Sequence, residues 1–395
     1  MSATGRPTPV VAEKHIPALD GIRALAILLV IPHNADFLSR PYPALVYPFA
    51  LVAHAGWIGV HLFFVLSGFL ITGKLLDAQG SHNYFRAFFG RRTLRIMPLY
   101  FTVLLLSFVI APALVRMPDA FLDTRQHQLW LWIFLSNWTT PFDEGVFGYS
   151  HFWSLAVEEQ FYLIWPFVVI RCRPQRLLWI CAIVGGGALL ARALMTMFHF
   201  NHDALYMFTI SRMDALATGA AVAALMRIPA VHAWLAERSG MIASGAVLAL
   251  LATFIVTRGF GIYDSSTQTV GYTLLSVAFA LVVLWAALPA SGLLRSGQRV
   301  LQCTPLRLIG RYSYGMYIFH LPLHVFVFGP LLHRLVAQVT PAISLAYSTA
   351  MIVITFGIAA LSYECFERRF LRLKRFLVPD SITSPTVARS SSAYP

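Results

Sequence analysis

Charge is what this 395-residue sequence has least of. Asp, Glu, Lys and Arg make up 12% of it, where a soluble domain carries roughly 25%. Hydrophobic residues reach 58% and the mean hydropathy is +0.68. A water-soluble fold could not cover so much apolar surface, so the solvent of most of this chain is lipid. Cysteine is scarce too. Cys172, Cys181, Cys303 and Cys365 share no CxxC-type spacing, which argues against a zinc site or a disulfide framework and leaves them as small apolar fillers. No internal repeat is found, which weakens the case for a transporter built from duplicated halves. Acidic residues are the rarer charge: 17 against 30 Lys and Arg, a net charge of +13. Such a balance can signal nucleic acid, but membrane proteins concentrate cations in cytoplasmic loops, and no nucleic-acid partner is expected.

What is present is a series of long apolar runs. A spanning helix needs about 20 mostly apolar residues. Ten segments qualify, near 17–38, 52–77, 96–115, 150–170, 177–198, 204–226, 240–258, 268–289, 312–334 and 342–364. The fold class is therefore an all-α polytopic membrane protein of about ten transmembrane helices. The run from Leu129 to Trp138 is too short to span and reads as re-entrant or interfacial. Alternate loops carry the arginines: Arg91, Arg92 and Arg95; Arg171, Arg173 and Arg176; Arg227 and Arg238; Arg295, Arg299, Arg307 and Arg311; then Arg368 to Arg375. The opposite set has only scattered cations such as Arg40, Arg116, Arg125, Arg258 and Arg334. Both termini are expected on the cytoplasmic side. Asp20 and Arg23 interrupt the first run, so it reads as an uncleaved span rather than a signal peptide. We divide the chain into a cytoplasmic segment 1–15, a membrane domain 16–377 and a Ser/Thr/Pro-rich disordered tail 378–395.

Charges near the bilayer centre cost at least ~2.5–3.5 kcal/mol each, so they need partners or a purpose. Arg23 and His33 lie ten residues apart in the first run, about 15 Å of helix and about 80° off a common face, with Pro32 able to kink the helix between them. A neutral imidazole near the end of a span can act as general base on a hydroxyl; it can equally be held by neighbouring helices. In HFWSLAVEEQFYLIWP, residues 151–166, the side chains of His151, Ser154, Glu158, Tyr162 and Trp165 share one face. Glu158 and Glu159 point about 100° apart on a helix, so at most one faces a given cavity, and Glu158 is the better candidate to orient a histidine. Arg91, Arg92 and Arg95 in RRTLRIMPLY serve as a positive-inside anchor or as a guanidinium cluster for phosphates. Arg212 and Asp214 read as partners of other buried groups. His320 and His324 have the i, i+4 spacing of a metal pair, but Pro322 lies between them and no third ligand is evident, so no metal is expected. Glu364 and Glu367 read as partners of local arginines, and Gly59, Ser67 and Gly68 as sites of close helix approach.

Taken together these segments resemble acyltransferase family 3, bacterial membrane proteins that include sugar and lipopolysaccharide O-acetylases. The resemblance runs from about Ile16 to Arg372. It rests on LDGIRALAILLV with His33, GVHLFFVLSGFLIT, RRTLRIMPLY, HFWSLAVEEQFYLIWP, RMDALATGAAVA, SYGMYIFHLPL and SYECFERRF. It implies a ten-helix domain in the bacterial inner membrane that takes an acyl group from cytoplasmic acyl-CoA, acetyl-CoA above all, and passes it to a hydroxyl of a carbohydrate or glycolipid acceptor. It also implies Arg23 and His33 as essential residues. The family spacing between these two is commonly one residue longer, and here Pro32 sits in the gap. Arg92 and Arg95 match the family's cytoplasmic arginines, and Glu159 or Glu158 its acidic motif. Some relatives carry a periplasmic hydrolase-like domain that completes the transfer. None is found in this sequence, so the chain is expected to finish the reaction itself or hand the acyl group to a separate periplasmic protein.

The expected mechanism places donor phosphates on Arg91, Arg92 and Arg95, with Tyr100 in the same donor-binding set. His33 deprotonates the acceptor, Glu158 or Glu159 orients its ring, and Arg23 stabilises developing charge or positions the donor. An acyl-histidine intermediate remains open, as does a competing class: a multi-span transporter using Arg23, His33 and Glu158 as a polar relay.

Overall fold

A computed structural model describes residues 15–35, 47–114, 117, 119–142 and 145–377. The far end of the first run beyond residue 35, the isolated Arg40 and Arg116, and the terminal segments 1–14 and 378–395 lie outside the described residues. Among the described residues there is no strand. The long helices are α1 (Pro17–Asn34), α2 (Tyr47–Ala55), α3 (Ile58–Asp77), α4 (Tyr84–Leu114), α5 (Trp153–Val169), α6 (Pro174–Met197), α7 (Thr209–Leu225), α8 (Ser239–Val256), α9 (Thr267–Ala287), α10 (Thr304–Leu335) and α11 (Pro341–Leu377). Short helices at Asp119–Gln126, His202–Met207, Pro229–Glu237 and Gly292–Leu301 fill the connections.

Each of the ten expected runs holds one of these helices. Among the described residues seven helices are long and apolar enough to cross a membrane, and eight if the pair His202–Leu225 and Pro229–Glu237, bent by 98°, counts as one span. The two that fall short are α5, with 17 residues, and α1, which carries Asp20, Arg23 and His33. Helix α1 lies inside the bundle, whereas α5 turns Leu163 and Ile164 outward. Packing against α3 and α10 keeps the polar side chains of α1 away from hydrocarbon, the condition under which such residues are tolerated. Three helices overrun their apolar windows: α4 begins at Tyr84, α10 at Thr304, and α11 ends at Leu377. The added turns are rich in Arg and Lys. These are good helix formers, and their long side chains carry the charge out of the apolar layer.

Close approach is set by glycine. A Cβ on Gly68 of α3 would overlap the Leu216 carbonyl of α7, and one on Gly219 of α7 would overlap the Val65 carbonyl of α3. The two helices therefore touch backbone to backbone.

Ties between elements define two ends of the bundle. At the basic end Arg227 pairs with Asp77 at 2.5 Å, Gln79 donates to the carbonyls of Val169 and Cys172, and Leu377 packs over Gly90. At the opposite end Trp57 donates to Phe260 O at 2.9 Å, and His202 meets Gln268 at 2.7 Å. The run 129–138 neither spans nor forms one helix. It is a turn at Leu129–Trp132 followed by a 3-10 turn at Ser136–Trp138. Buried side chains satisfy its irregular backbone, as non-helical chain at membrane depth requires. Tyr100 donates to Leu131 O at 2.8 Å and Gln160 to Phe134 O at 2.9 Å.

Candidate functional site

Helices α1, α3, α4, α5 and α10 enclose a cavity of about 250 Å³. Its cationic end is lined by Lys74, Arg91, Arg92, Arg95 and Lys374, its middle by Ser67 and Glu158, and its far end by Val60, Ser154 and Tyr317. Lys74 and Val60 lie on the same helix, about 21 Å apart at 1.5 Å of rise per residue. The cavity thus runs nearly the full length of α3, from the basic end to within a turn of the opposite one.

The sequence places the charges there by simple periodicity. Arg91, Arg92 and Arg95 occupy one side of α4, where i, i+3 and i, i+4 neighbours share a face. Lys74, in the last turn of α3, and Lys374, beyond the apolar part of α11, meet them. Arg23 lines the cavity from α1 and is held by Asp20 at 3.1 Å. Glu158 accepts from Ser67 at 2.7 Å and from Tyr162 at 2.8 Å, and the Arg92 guanidinium stacks 3.8 Å over the Tyr162 ring. Cation, phenol and carboxylate so form one layer across the cavity. The Arg92 Nε is shielded from solvent without a hydrogen-bond partner among the described residues. Glu159 does not line the cavity. It lies within electrostatic range of Arg92 and Tyr314, and its Oε1 has no partner among the described residues.

At the far end the Tyr317 hydroxyl donates to His151 O at 2.6 Å and lies 2.5 Å from Ser154 Oγ. Behind these hydroxyls the His151 ring packs 4.8 Å from the His320 ring. Both His151 ring nitrogens are buried without partners among the described residues. His320 Nδ1 donates to Tyr317 O at 2.7 Å, so its Nε2 accepts from Asn34 Nδ2 at 3.3 Å. Asn34 is the neighbour of His33, whose Nδ1 lies 2.8 Å from Ala53 O. A carbonyl only accepts, so Nδ1 carries a proton, and in the neutral ring the lone pair is on Nε2. The ring is aligned by α2, through a backbone oxygen.

The expected residues are thus distributed as follows. Arg23, Arg91, Arg92, Arg95 and Glu158 line one cavity. His33 is not among its lining residues; it stands at the opposite end, beyond the Tyr317, His151 and His320 layer. Both carboxylate oxygens of Glu158 are engaged by hydroxyls, and the His33 Nδ1 hydrogen goes to Ala53, so the expected orienting role of a glutamate is met by a carbonyl. Tyr100 is fully buried against Phe134 and Phe152, with its hydroxyl on Leu131 O, and does not reach the cavity. His320 and His324 diverge, the latter meeting Tyr347 at 2.9 Å. Glu364 pairs with Arg368 at 2.7 Å, whereas Glu367 accepts from Ser362 at 3.3 Å. Sequence reasoning missed Lys74, Lys374 and Tyr317. Their one signal was position: a lysine closing an apolar run, a cation in a basic tail, and a tyrosine inside a polar-aromatic motif.

The sequence profile described as "Acyltransferase domain" matches residues 16–363. The chain belongs to that acyltransferase family. Similar proteins include the peptidoglycan O-acetyltransferase OatA of Listeria monocytogenes, 28% identical over 375 residues, covering 90% of this chain and 56% of that protein. The O-acetyltransferase OatA of Staphylococcus aureus is 27% identical over 342 residues, 80% of this chain and 52% of that protein. The putative peptidoglycan O-acetyltransferase YrhL of Bacillus subtilis is 27% identical over 383 residues, 90% and 55% respectively. The chain spans about half the length of these relatives. No solved structure matches it. Within this family the chain is a multi-pass membrane protein, and the matched residues contain every helix that lines the cavity, with only Lys374 beyond them.

Proposed function

We propose that this protein is a membrane O-acyltransferase that takes an acyl group, acetyl first of all, from acyl-CoA and delivers it to a hydroxyl of a carbohydrate. It would sit in the bacterial inner membrane with the basic end and both termini cytoplasmic, residues 16–377 forming the working domain. The observation that carries this reading is the cavity itself. It begins in a ring of cations, where phosphates gain charge-assisted hydrogen bonds, and ends at neutral hydroxyls one layer from a histidine with a defined tautomer.

In this reading the thioester enters from the cationic end and its carbonyl reaches Ser154 and Tyr317. His33 Nε2 takes the proton of the acceptor hydroxyl as its oxygen bonds to the carbonyl carbon. The oxyanion is held by the Tyr317 and Ser154 hydroxyls, whose protons turn to it from the His151 carbonyl. Collapse breaks the carbon–sulfur bond, and the proton held by His33 passes to the thiolate. The layer of His151 and His320 has to rearrange for acceptor and thioester to meet. Arg23, tied to Asp20, positions the donor. Glu158, with Tyr162, balances Arg92. The acceptor is a glycan such as peptidoglycan, the substrate in the names of two relatives, or a separate acyl-accepting protein on the far side.

Purified protein in detergent tests this. A ligand that binds only the folded state stabilises it by about 2.7 kcal/mol at a hundredfold excess over Kd. Acetyl-CoA should raise the melting temperature in a concentration-dependent way, and peptidoglycan fragments should stimulate release of free CoA. Folded protein that shows neither response to acetyl-, propionyl- nor succinyl-CoA would overturn the reading and direct attention to solute flux.

A further inference from the structure

A second cavity of about 490 Å³ adjoins the first at the basic end. It lies among α1, α10 and α11. Arg23, Arg95, Tyr314 and Lys374 line both spaces, so these residues form a cationic neck between them. The wider space adds Arg307 and Arg311, with Tyr312 and Tyr363 as an aromatic wall. The two tyrosine rings sit 5.3 Å apart, edge to face, and the Arg311 guanidinium lies 4.8 Å from the Tyr363 ring. Two carboxylates are present, but both are engaged: Asp20 by His15 at 2.8 Å and Arg23 at 3.1 Å, Glu367 by Ser362 at 3.3 Å. Among the lining residues cations therefore outnumber carboxylates five to two, counting Arg23, Arg95, Arg307, Arg311 and Lys374, with Glu364 behind Arg311 at 3.9 Å.

The two cavities form a broad polar basin, a cationic neck and a long narrow channel ending in hydroxyls. A ligand that fills all three has a bulky aromatic head with phosphates, a phosphate link and a thin arm. We propose that the basin is a nucleotide subsite, in which Arg307 and Arg311 hold phosphate and Tyr312 and Tyr363 face the base, with the diphosphate at Arg23, Arg95 and Lys374. The inference rests on the acyl-donor reading above and sharpens it. The donor is a nucleotide-bearing thioester rather than a phosphopantetheine arm on a carrier protein, because an arm alone leaves the basin and its cations unused. It also moves the main phosphate contacts from Arg91 and Arg92 to the neck and basin.

The test compares acetyl-CoA, acetyl-pantetheine and adenosine 3′,5′-bisphosphate as ligands of the full chain in detergent. Wild type should bind acetyl-CoA at least tenfold more tightly than acetyl-pantetheine, and the bisphosphate should compete with acetyl-CoA. The double variant Arg307→Ala, Arg311→Ala should lose tenfold or more in acetyl-CoA affinity, the scale of about one charge-assisted hydrogen bond. It should bind acetyl-pantetheine as wild type does, and Arg307→Lys, Arg311→Lys should recover part of the loss. Equal loss for both thioesters, or a wild type that binds them equally, overturns the subsite while the donor reading stands. A wild type that binds neither thioester overturns both. Arg311 is 48% exposed at its side chain, so these variants should fold, and the melting temperature without ligand checks that.

Discussion

Two groups of charged side chains sit inside this helix bundle, and they are built in opposite ways. The first joins α3, α6, α7 and α9. Arg192 and Asp214 pair at 2.8 Å with both side chains fully buried, and Thr273 donates to the same carboxylate at 2.9 Å. Beside them Arg212 donates to His61 Nδ1 at 2.8 Å, His61 Nε2 faces Ser276 Oγ at 2.7 Å, and the guanidinium lies 4.2 Å from the Tyr272 ring. The second group lines the cavity. There Lys74, Arg91, Arg92, Arg95 and Lys374 converge with Glu158 as the one carboxylate among the lining residues. In the first group one carboxylate meets two guanidiniums: Asp214 pairs with Arg192, while Arg212 is packed among a histidine and aromatic rings, its Nε and Nη1 shielded without partners among the described residues. The second holds an excess of positive charge around a space. Insertion into a membrane penalises both, so charge burial alone does not reveal function; the size of the cationic excess and the cavity it surrounds do.

This contrast can be broken experimentally. The largest effect should come from the closed group. Asp214→Ala strands a buried guanidinium, and breaking such a pair costs about 3–5 kcal/mol, read as a large fall in melting temperature with activity lost alongside. A variant that melts like wild type would mean the group is not structural. His33→Ala should act the other way: acyl transfer falls by roughly 10²–10⁴, the range for a general base, while the melting point and acetyl-CoA affinity stay near wild type. Tyr317→Phe should lower the transfer rate by roughly 10²–10³, the range for one oxyanion donor, again with donor binding retained. Arg95→Ala should weaken donor binding by about 1.5–3 kcal/mol, the worth of a hydrogen bond to a charged group, in a titration at fixed salt. The smallest effect should be that of Tyr100→Phe. Loss of its bond to Leu131 O removes about 0.5–1.5 kcal/mol of stability and should leave donor affinity unchanged.

Much of the fold was legible because lipid imposes a simple rule. Apolar runs of spanning length had to be helices, and each holds one among the described residues. Boundaries were less legible where charge continued a helix past its apolar window, as at residues 91–95 in α4 and 364–377 in α11. Helix propensity, not hydropathy, decides those turns. Part of the site could be read by periodicity, since Arg91, Arg92 and Arg95 share a face of one helix and Glu158 and Glu159 cannot. Tyr100 shows where that reading fails. It follows the arginines in sequence, yet its hydroxyl turns to the irregular segment at Leu131, because a buried hydroxyl must find an acceptor.

By itself, then, the sequence determined the solvent, the helices, the basic end and the residue types available for chemistry, since these follow from local composition and from period. Only the tertiary structure decided which of those residues meet. Lys74 and Lys374 stand 300 positions apart and line one cavity. His33 takes its tautomer from Ala53, twenty positions on, and Tyr317 closes the far end against Ser154. Such contacts depend on helix rotation and on close approach, as of Gly59 to the Ala26 carbonyl and Gly310 to the Asp20 carbonyl, and neither is written in the period of a single helix.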